Sequence, residues 1–253
     1  MSTGYPPKNK RKTNLPESIF FILLVILAAF VLFQSPLFEV RQILVKGTTI
    51  PVETVKSISG ISPGQNIFKL DRKIVEKKIK YLPVIKNVEV TRNLPSTVII
   101  TVEERVAIGI LPVKDGFVQV DMDGIPLRKA EITNAELPVI TGVEVDFKDI
   151  GEKINSKELD TVLKTINSLP VEILPELSEV HFDNEGRIQL YMLDGIQCRL
   201  GLPEKIEQKG RILLEVMQEL ETQGKKIEYI DLSYFGKPVV KYISQPQGVT
   251  TGD

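Results

Sequence analysis

LPVIKNVEVTRNLPSTVIITVEER, residues 82–105, decides how the first folded module of this chain is built. Pro83 stops the helical pattern ahead of it, because proline lacks the N–H that a helix interior needs. Residues 84–91 and 97–103 are rich in β-branched side chains, and Asn93-Leu94-Pro95-Ser96 between them has the composition of a turn. The stretch therefore predicts a β-hairpin.

Upstream, Leu70, Ile74, Ile79 and Leu82 fall near helical spacing, with Arg72, Lys73, Glu76, Lys77 and Lys80 turned outward, as in an amphipathic helix. SPGQN, residues 62–66, reads as a loop; Gly60 suits the end of an earlier helix and Pro51 its first turn. Residues 38–45 (FEVRQILV) read as a strand that buries Phe38 and Val40, with Ile43 and Val45 as further candidates, and Gly47 ends it. The module is thus β-α-α-β-β.

Further upstream lies one uncharged apolar run, residues 19–33 (IFFILLVILAAFVLF). Fifteen helical residues span roughly 22 Å, so Ser18, Gln34, Leu37 and Phe38 must help cover a hydrocarbon core of ~30 Å. Lys8, Lys10, Arg11 and Lys12 precede the run with Glu17 as the one acid, which predicts a cytoplasmic N-terminus and an exported C-terminal bulk. The rival reading is a cleaved signal peptide. It lacks a good cleavage site: Ala28 and Ala29 lie inside the run, and Ser35 is followed by Pro36.

The formal charge of the chain is −1, and the basic tail leaves the remainder at −4. That remainder has no basic footprint for nucleic acid. A single cysteine, Cys198, excludes an internal disulfide framework and a multi-cysteine metal site.

Downstream, Asp123-Gly124 within VQVDMDGIPL, residues 118–127, marks a tight hairpin. Asn155 with Glu158 suits a capping box, and Leu159, Val162, Leu163 and Ile166 trace one helical stripe. Ile188, Leu190 and Met192 alternate on one strand face and Ile196, Cys198 and Leu200 on the matching face of the next, joined at Asp194-Gly195. Pro203 then opens a long helix striped by Ile206, Gly210, Leu213, Met217 and Leu220, with Gly224 as its cap. Residues 229–234 (YIDLSY) and 239–242 read as closing strands, and residues 244–253 as a disordered tail.

Few residues suggest chemistry. His181, the one histidine, is in register with the acids Glu179 and Asp183, so it reads as a solvent-facing strand residue. Cys198 shares a face with Ile196 and Leu200 and reads as a buried apolar thiol. Asp121 and Asp123 begin a calcium-loop pattern that Ile125 breaks, and the loop at Gly60 and Gly64 lacks the Gly-Lys-Ser/Thr ending of a phosphate loop. Lys73, Lys77, Lys78 and Lys80 form a solvated helix face, with lipid headgroups as the alternative contact. No catalytic, metal or cofactor site is expected.

Three signs carry a resemblance: "V.G" after the first strand, "G...G.N.F.L" before the second helix, and "LP.I..V.V.R..PSTV.I.V.ER" through the hairpin. The module resembles the POTRA (polypeptide-transport-associated) domain in the form found in the bacterial FtsQ/DivIB family. Leu137-Pro138-Val139-Ile140-Thr141-Gly142 and YIDLSYFGKPVVK resemble later segments of that family. The resemblance implies an α+β chain in five parts. These are a cytoplasmic tail (1–18), a transmembrane signal-anchor helix (19–37), a POTRA domain (38–106), a C-terminal mixed β domain with two flanking helices (107–243), and the tail (244–253).

It also implies a non-enzymatic scaffold of the divisome, a single-pass protein of the cytoplasmic membrane at the division septum. Membrane lipid would contact residues 19–33, and FtsB/DivIC-like and FtsL-like proteins would add as a strand at the C-terminal sheet edge. No nucleic acid or small-molecule substrate is implied. The expected partner-binding residues are Tyr234, Phe235, Lys237, Val239, Val240 and Lys241, with residues 234–242 as the edge. Ser233 stands where many relatives carry arginine, and Pro238 removes one ladder donor, which suits an edge. The alternative function is a membrane-anchored Ser/Lys hydrolase of the signal-peptidase type, which needs no histidine but whose Ser-Met start is absent.

Overall fold

The computed structural model describes residues 15–131, 136–223, 227–234 and 236–243. The chain divides into two compact units, one within Met1–Ile79 and Asn87–Val102, the other within Lys80–Lys86 and Glu103–Asp253.

The first unit opens with helix α1 (Leu15–Phe33), whose apolar side chains are exposed. Among the described residues it is the one helix long and apolar enough to cross a membrane, with a mean hydropathy of 2.6 over Pro16–Phe33. Its bounds differ from the expected 19–37. Pro16 is tolerated in the first turn, while Pro36 forces Ser35 into an extended conformation (φ −70°, ψ 155°) and ends the helix early.

Strand β1 (Gln42–Lys46), helices α2 (Val52–Ser59) and α3 (Arg72–Lys80), and strands β2 (Ile85–Asn93) and β3 (Thr97–Glu104) follow in the expected β-α-α-β-β order. The sheet order is β1-β3-β2, with β1 parallel to β3 and Val45 opposite Ile100. Val40, Val55, Ile67, Val75, Ile79, Val98 and Ile100 form part of its core. One expectation fails on α3: Val75 and Ile79 point inward, and Ile74 is exposed. Ile74 sits one residue, about 100° of helix, from Val75, so the inward stripe selects only one of the two. Gly47 (φ +76°) explains its place after β1, because a Cβ there would lie 2.3 Å from the Val102 carbonyl oxygen.

The second unit is built on a nine-stranded sheet. Its strands are β4 (Ala107–Val113), β5 (Gly116–Asp121), β6 (Pro126–Ala130), β7 (Val139–Thr141), β8 (Leu177–Phe182), β9 (Ile188–Met192), β10 (Gln197–Gly201), β11 (Ile227–Asp231) and β12 (Val239–Tyr242). Their spatial order is β12-β11-β10-β9-β8-β7-β4-β5-β6. Helix α4 (Lys157–Ser168) connects the parallel strands β7 and β8, and α5 (Ile206–Gln223) connects the parallel strands β10 and β11. Both crossovers need a helix, since parallel neighbours cannot be joined by a tight turn.

Leu159, Val162, Leu163 and Ile166 of α4 and Leu213 of α5 pack with Val180, Leu190, Cys198, Leu200 and Ile230 of the sheet. The alternation on β9 and β10 holds, with Leu190 opposite Cys198. Strand β4 lacks clean alternation because Gly109 leaves room for the Ile140 side chain and Pro112 lies beyond the β7 pairing at Ile110. The cap of α4 is Ser156 rather than Asn155: its Oγ accepts the Leu159 N–H at 3.3 Å and donates to Glu158 at 2.9 Å. Helix α5 starts at Ile206 rather than Pro203, and Gly224 and the tail 244–253 lie outside the described residues.

Asp121 and Asp123 act together at the β5–β6 turn. Asp121 Oδ1 accepts the Asp123 and Ile125 N–H groups at 3.0 and 2.9 Å, and the Arg105 guanidinium donates to Asp121 at 2.5 Å and to Asp123 at 2.9 Å. Burial alone would lower the Arg105 pKa; its two carboxylate partners outweigh that and raise it. At Gly142 (φ +75°) a Cβ would fall 1.9 Å from the Phe182 carbonyl oxygen, whereas at Gly195 (φ +88°) it would meet nothing within 4 Å. Gly142→Ala is expected to destabilise the fold by roughly 3 kcal/mol and Gly195→Ala by about 1 kcal/mol, since only the first adds a backbone clash to the left-handed strain. Urea unfolding of the two variants checks the order.

Candidate partner-binding edge

The strand β12 ends the nine-stranded sheet, and β6 ends it on the other side. β12 runs antiparallel to β11, with Val239 opposite Asp231, Val240 opposite Ile230 and Lys241 opposite Tyr229. Among the described residues no further strand lies beyond β12, so one row of its peptide groups faces outward.

The side chains alternate as the pleat requires. Val240 packs against the core, while Val239 and Lys241 point to the opposite face and are exposed. Lys241 is already engaged there: its ammonium lies 3.0 Å from Glu228 and 5.5 Å from the centre of the Tyr229 ring. The Arg199 guanidinium lies 4.2 Å from the same ring centre. The three strands β10, β11 and β12 are thus linked by a cation–aromatic–cation row.

Tyr234 and Lys237 do not lie on a strand, contrary to the expectation for residues 229–234 and for an edge from 234 to 242. Strand β11 ends at Asp231, whose Oδ1 accepts the Ser233 N–H at 2.8 Å and turns the chain. Gly236 is left-handed (φ +78°), and the Lys237 N–H bonds the Tyr234 carbonyl at 3.3 Å. Tyr234 is 80% exposed and shares a hollow with Lys205, Lys209, Lys237 and Val239. Phe235 lies outside the described residues. The expected residues are therefore divided between a four-residue strand and the loop that leads into it.

Lys209 went unmarked in the sequence. It is buried on α5, and its ammonium donates to the Leu200 carbonyl at 2.5 Å and the Leu202 carbonyl at 3.1 Å, just past β10. Burial pushes its pKa down. Its one signal was a lysine at the helical spacing of Ile206 and Leu213, on the apolar side of α5.

The chemistry-bearing residues stand apart from the edge. Cys198 is fully buried, and burial raises its thiol pKa far above neutral, so it carries no thiolate nucleophile. His181 Nδ1 lies 2.7 Å from Thr141 Oγ1 on the half-exposed face of β8. Among the described residues no cluster of three or more His, Cys, Asp or Glu side chains could hold a metal ion.

Comparison with known proteins places these features. The family model "POTRA domain, FtsQ-type" matches residues 38–105, and "Cell division protein FtsQ/DivIB, C-terminal" matches residues 109–233. The cell division protein DivIB of Clostridium botulinum (strain Hall) is 30% identical over 239 residues, covering 92% of this chain and 93% of the relative. The cell division protein FtsQ of Syntrophotalea carbinolica is 29% identical over 216 residues, covering 83% and 76%. A solved structure, the major extracytoplasmic domain of the trans isomer of DivIB from Geobacillus stearothermophilus, matches 48% of this chain and 96% of its own at 21% identity and a TM-score of 0.32. With two adjacent family matches and relatives aligned along nearly all of its length, the chain belongs to the FtsQ/DivIB family of bacterial cell division proteins.

Proposed function

We propose that this chain is a non-enzymatic scaffold of the divisome, anchored in the cytoplasmic membrane by α1 with its N-terminus inside and its folded units outside, at the septum. An extended segment of an FtsB/DivIC-like protein, held with an FtsL-like one, adds as a strand to the outer edge of β12. The observation that carries this reading is the position of β12 at the end of the sheet, in a member of a cell division family.

Strand addition draws affinity from main-chain hydrogen bonds and specificity from flanking side chains. Val240 faces the core and holds β12 in place, so its contribution to a partner is through its backbone. Val239 and Tyr234 offer exposed apolar surface next to that backbone, with Lys237 beside them. Phe235 is kept with this group from the sequence pattern. Lys241 is paired with Glu228 and adds little.

In calorimetry against the partner, Val240→Pro is expected to abolish binding, Tyr234→Ala to weaken it by ~2 kcal/mol, and Lys241→Ala to have a small, salt-sensitive effect. Circular dichroism confirms that each variant is folded. Full-strength binding by folded Val240→Pro moves the interface elsewhere.

Cys198→Ala and His181→Ala are expected to support division in a depletion strain, with Cys198→Ala costing about 1 kcal/mol of stability through lost packing. Loss of division by a variant that still folds and reaches the membrane overturns the non-enzymatic reading. For topology, protease added to spheroplasts should digest residues after Phe38 and leave a short protected N-terminal piece. A soluble product starting near Pro36 marks a cleaved signal instead.

A further inference from the structure

Where α1 ends, the first unit builds a cluster that its own atoms do not complete. Phe33, Phe38 and Phe68 stack around one another with ring centroids 5.1 to 5.8 Å apart. Phe33 remains 50% exposed, the adjacent Leu37 49% and Phe68 36%. Such an apolar knot would cost free energy if it faced water.

The knot is held firmly. Asn66 Nδ2 donates to the Phe33 carbonyl at 2.7 Å, satisfying an acceptor that the end of a helix leaves open. Asn66 Oδ1 accepts the Phe68 N–H at 2.9 Å, and the Ile67 N–H bonds the Phe38 carbonyl at 2.8 Å. Arg92 closes the loop from β2, donating to the Phe68 and Leu70 carbonyls at 3.2 and 2.6 Å. Arg41 and Lys69 are exposed within the same segments. Three buried side-chain polar atoms lack a partner among the described residues: Ser35 Oγ, Gln65 Nε2 and Arg92 Nε. All three belong to the segments that build this junction.

The length of α1 indicates what covers the knot. The uncharged apolar run within α1, residues 19–33, is fifteen residues long and rises about 22 Å, short of a hydrocarbon core of ~30 Å. A span that is too short thins the bilayer or recruits flanking apolar groups. We propose that Phe33, Leu37, Phe38 and Phe68 form a foot seated at the headgroup–acyl boundary of a phospholipid bilayer. There the aromatic rings complete the apolar thickness, and Arg41 and Lys69 meet lipid phosphates. The foot fixes the first unit against the bilayer rather than leaving it on a swivel. This inference rests on the reading of α1 as a membrane span.

The chain contains no tryptophan, so a single introduced one is a clean reporter. Full-length Phe68→Trp, Ile26→Trp and Val52→Trp variants are placed in phosphatidylcholine–phosphatidylglycerol vesicles with lipids brominated either near the headgroup or near the chain end. Val52 starts α2, beyond the far end of β1, and five strand residues put it roughly 17 Å from the foot. Phe68→Trp should be quenched several-fold more by shallow than by deep bromines, Ile26→Trp should show the reverse, and Val52→Trp should be quenched by neither. Water-like, unquenched emission from Phe68→Trp with Ile26→Trp still quenched overturns the foot alone. Absence of quenching in Ile26→Trp overturns the membrane span and the foot with it.

Discussion

A buried ammonium group ties the crossover helix to the sheet. Lys209 of α5 donates to the carbonyls of Leu200 and Leu202, and those carbonyls sit where the chain leaves β10 for the helix. Parallel strands cannot be joined without such an excursion, so the placement of α5 determines where β11 is laid down. β12 then returns antiparallel on β11 and becomes the last strand. Gly210 makes the crossover tight: a Cβ there would fall 2.5 Å from Pro170 Cδ, beyond the end of α4. The charge of Lys209 is costly to bury unless its protons are used, and two carbonyl acceptors use them. The position of the edge strand thus follows from the packing of α5 on the sheet.

The parts of the fold that were legible in sequence are those with a clean period or a forced backbone. The alternation of Ile188, Leu190 and Met192 against Cys198 and Leu200 could be read directly, because one buried face imposes a period of two. Gly47 could be read as a strand end because only glycine fits its left-handed turn against the Val102 carbonyl. Strand β4 could not, because glycine and proline within it erase the alternation. Neither could the insertion of β7 between β4 and β8, where one short parallel strand of three residues carries almost no periodic signal.

The closing edge strand was legible in sequence, but the anatomy of the segment leading to it was not. The YIDLSY segment has the composition of one continuous strand, yet the Asp231 side chain captures the Ser233 N–H and bends the chain before Tyr234. Local side-chain-to-backbone bonds of this kind compete with strand pairing, and residue propensity does not record which one prevails. On α3, similarly, Ile74 and Val75 are equally apolar in the sequence, and only packing against the sheet decides which is buried. The pairing of Arg105 with Asp121 and Asp123 explains two motifs at once, the acid-arginine pair after the POTRA hairpin and the DMDG turn. It joins residues too far apart in sequence for spacing to reveal.

Under the proposed strand addition, an exposed edge must accept one partner and refuse copies of itself, and β12 has features that suit the second demand. It is only four residues long, is preceded by Pro238, and carries Lys241 on its outer face, all features that limit edge-to-edge association. Shortness also limits what main-chain pairing can supply. About four added hydrogen bonds at ~1 kcal/mol each fall well short of the roughly −8 kcal/mol of a micromolar complex. The balance has to come from side chains around the strand, and among the described residues the exposed large apolar groups there are Tyr234, Val239, Tyr242 and Ile243. Under the proposed strand addition, such an edge is permissive in its backbone, and its selectivity comes from the side chains that flank the ladder.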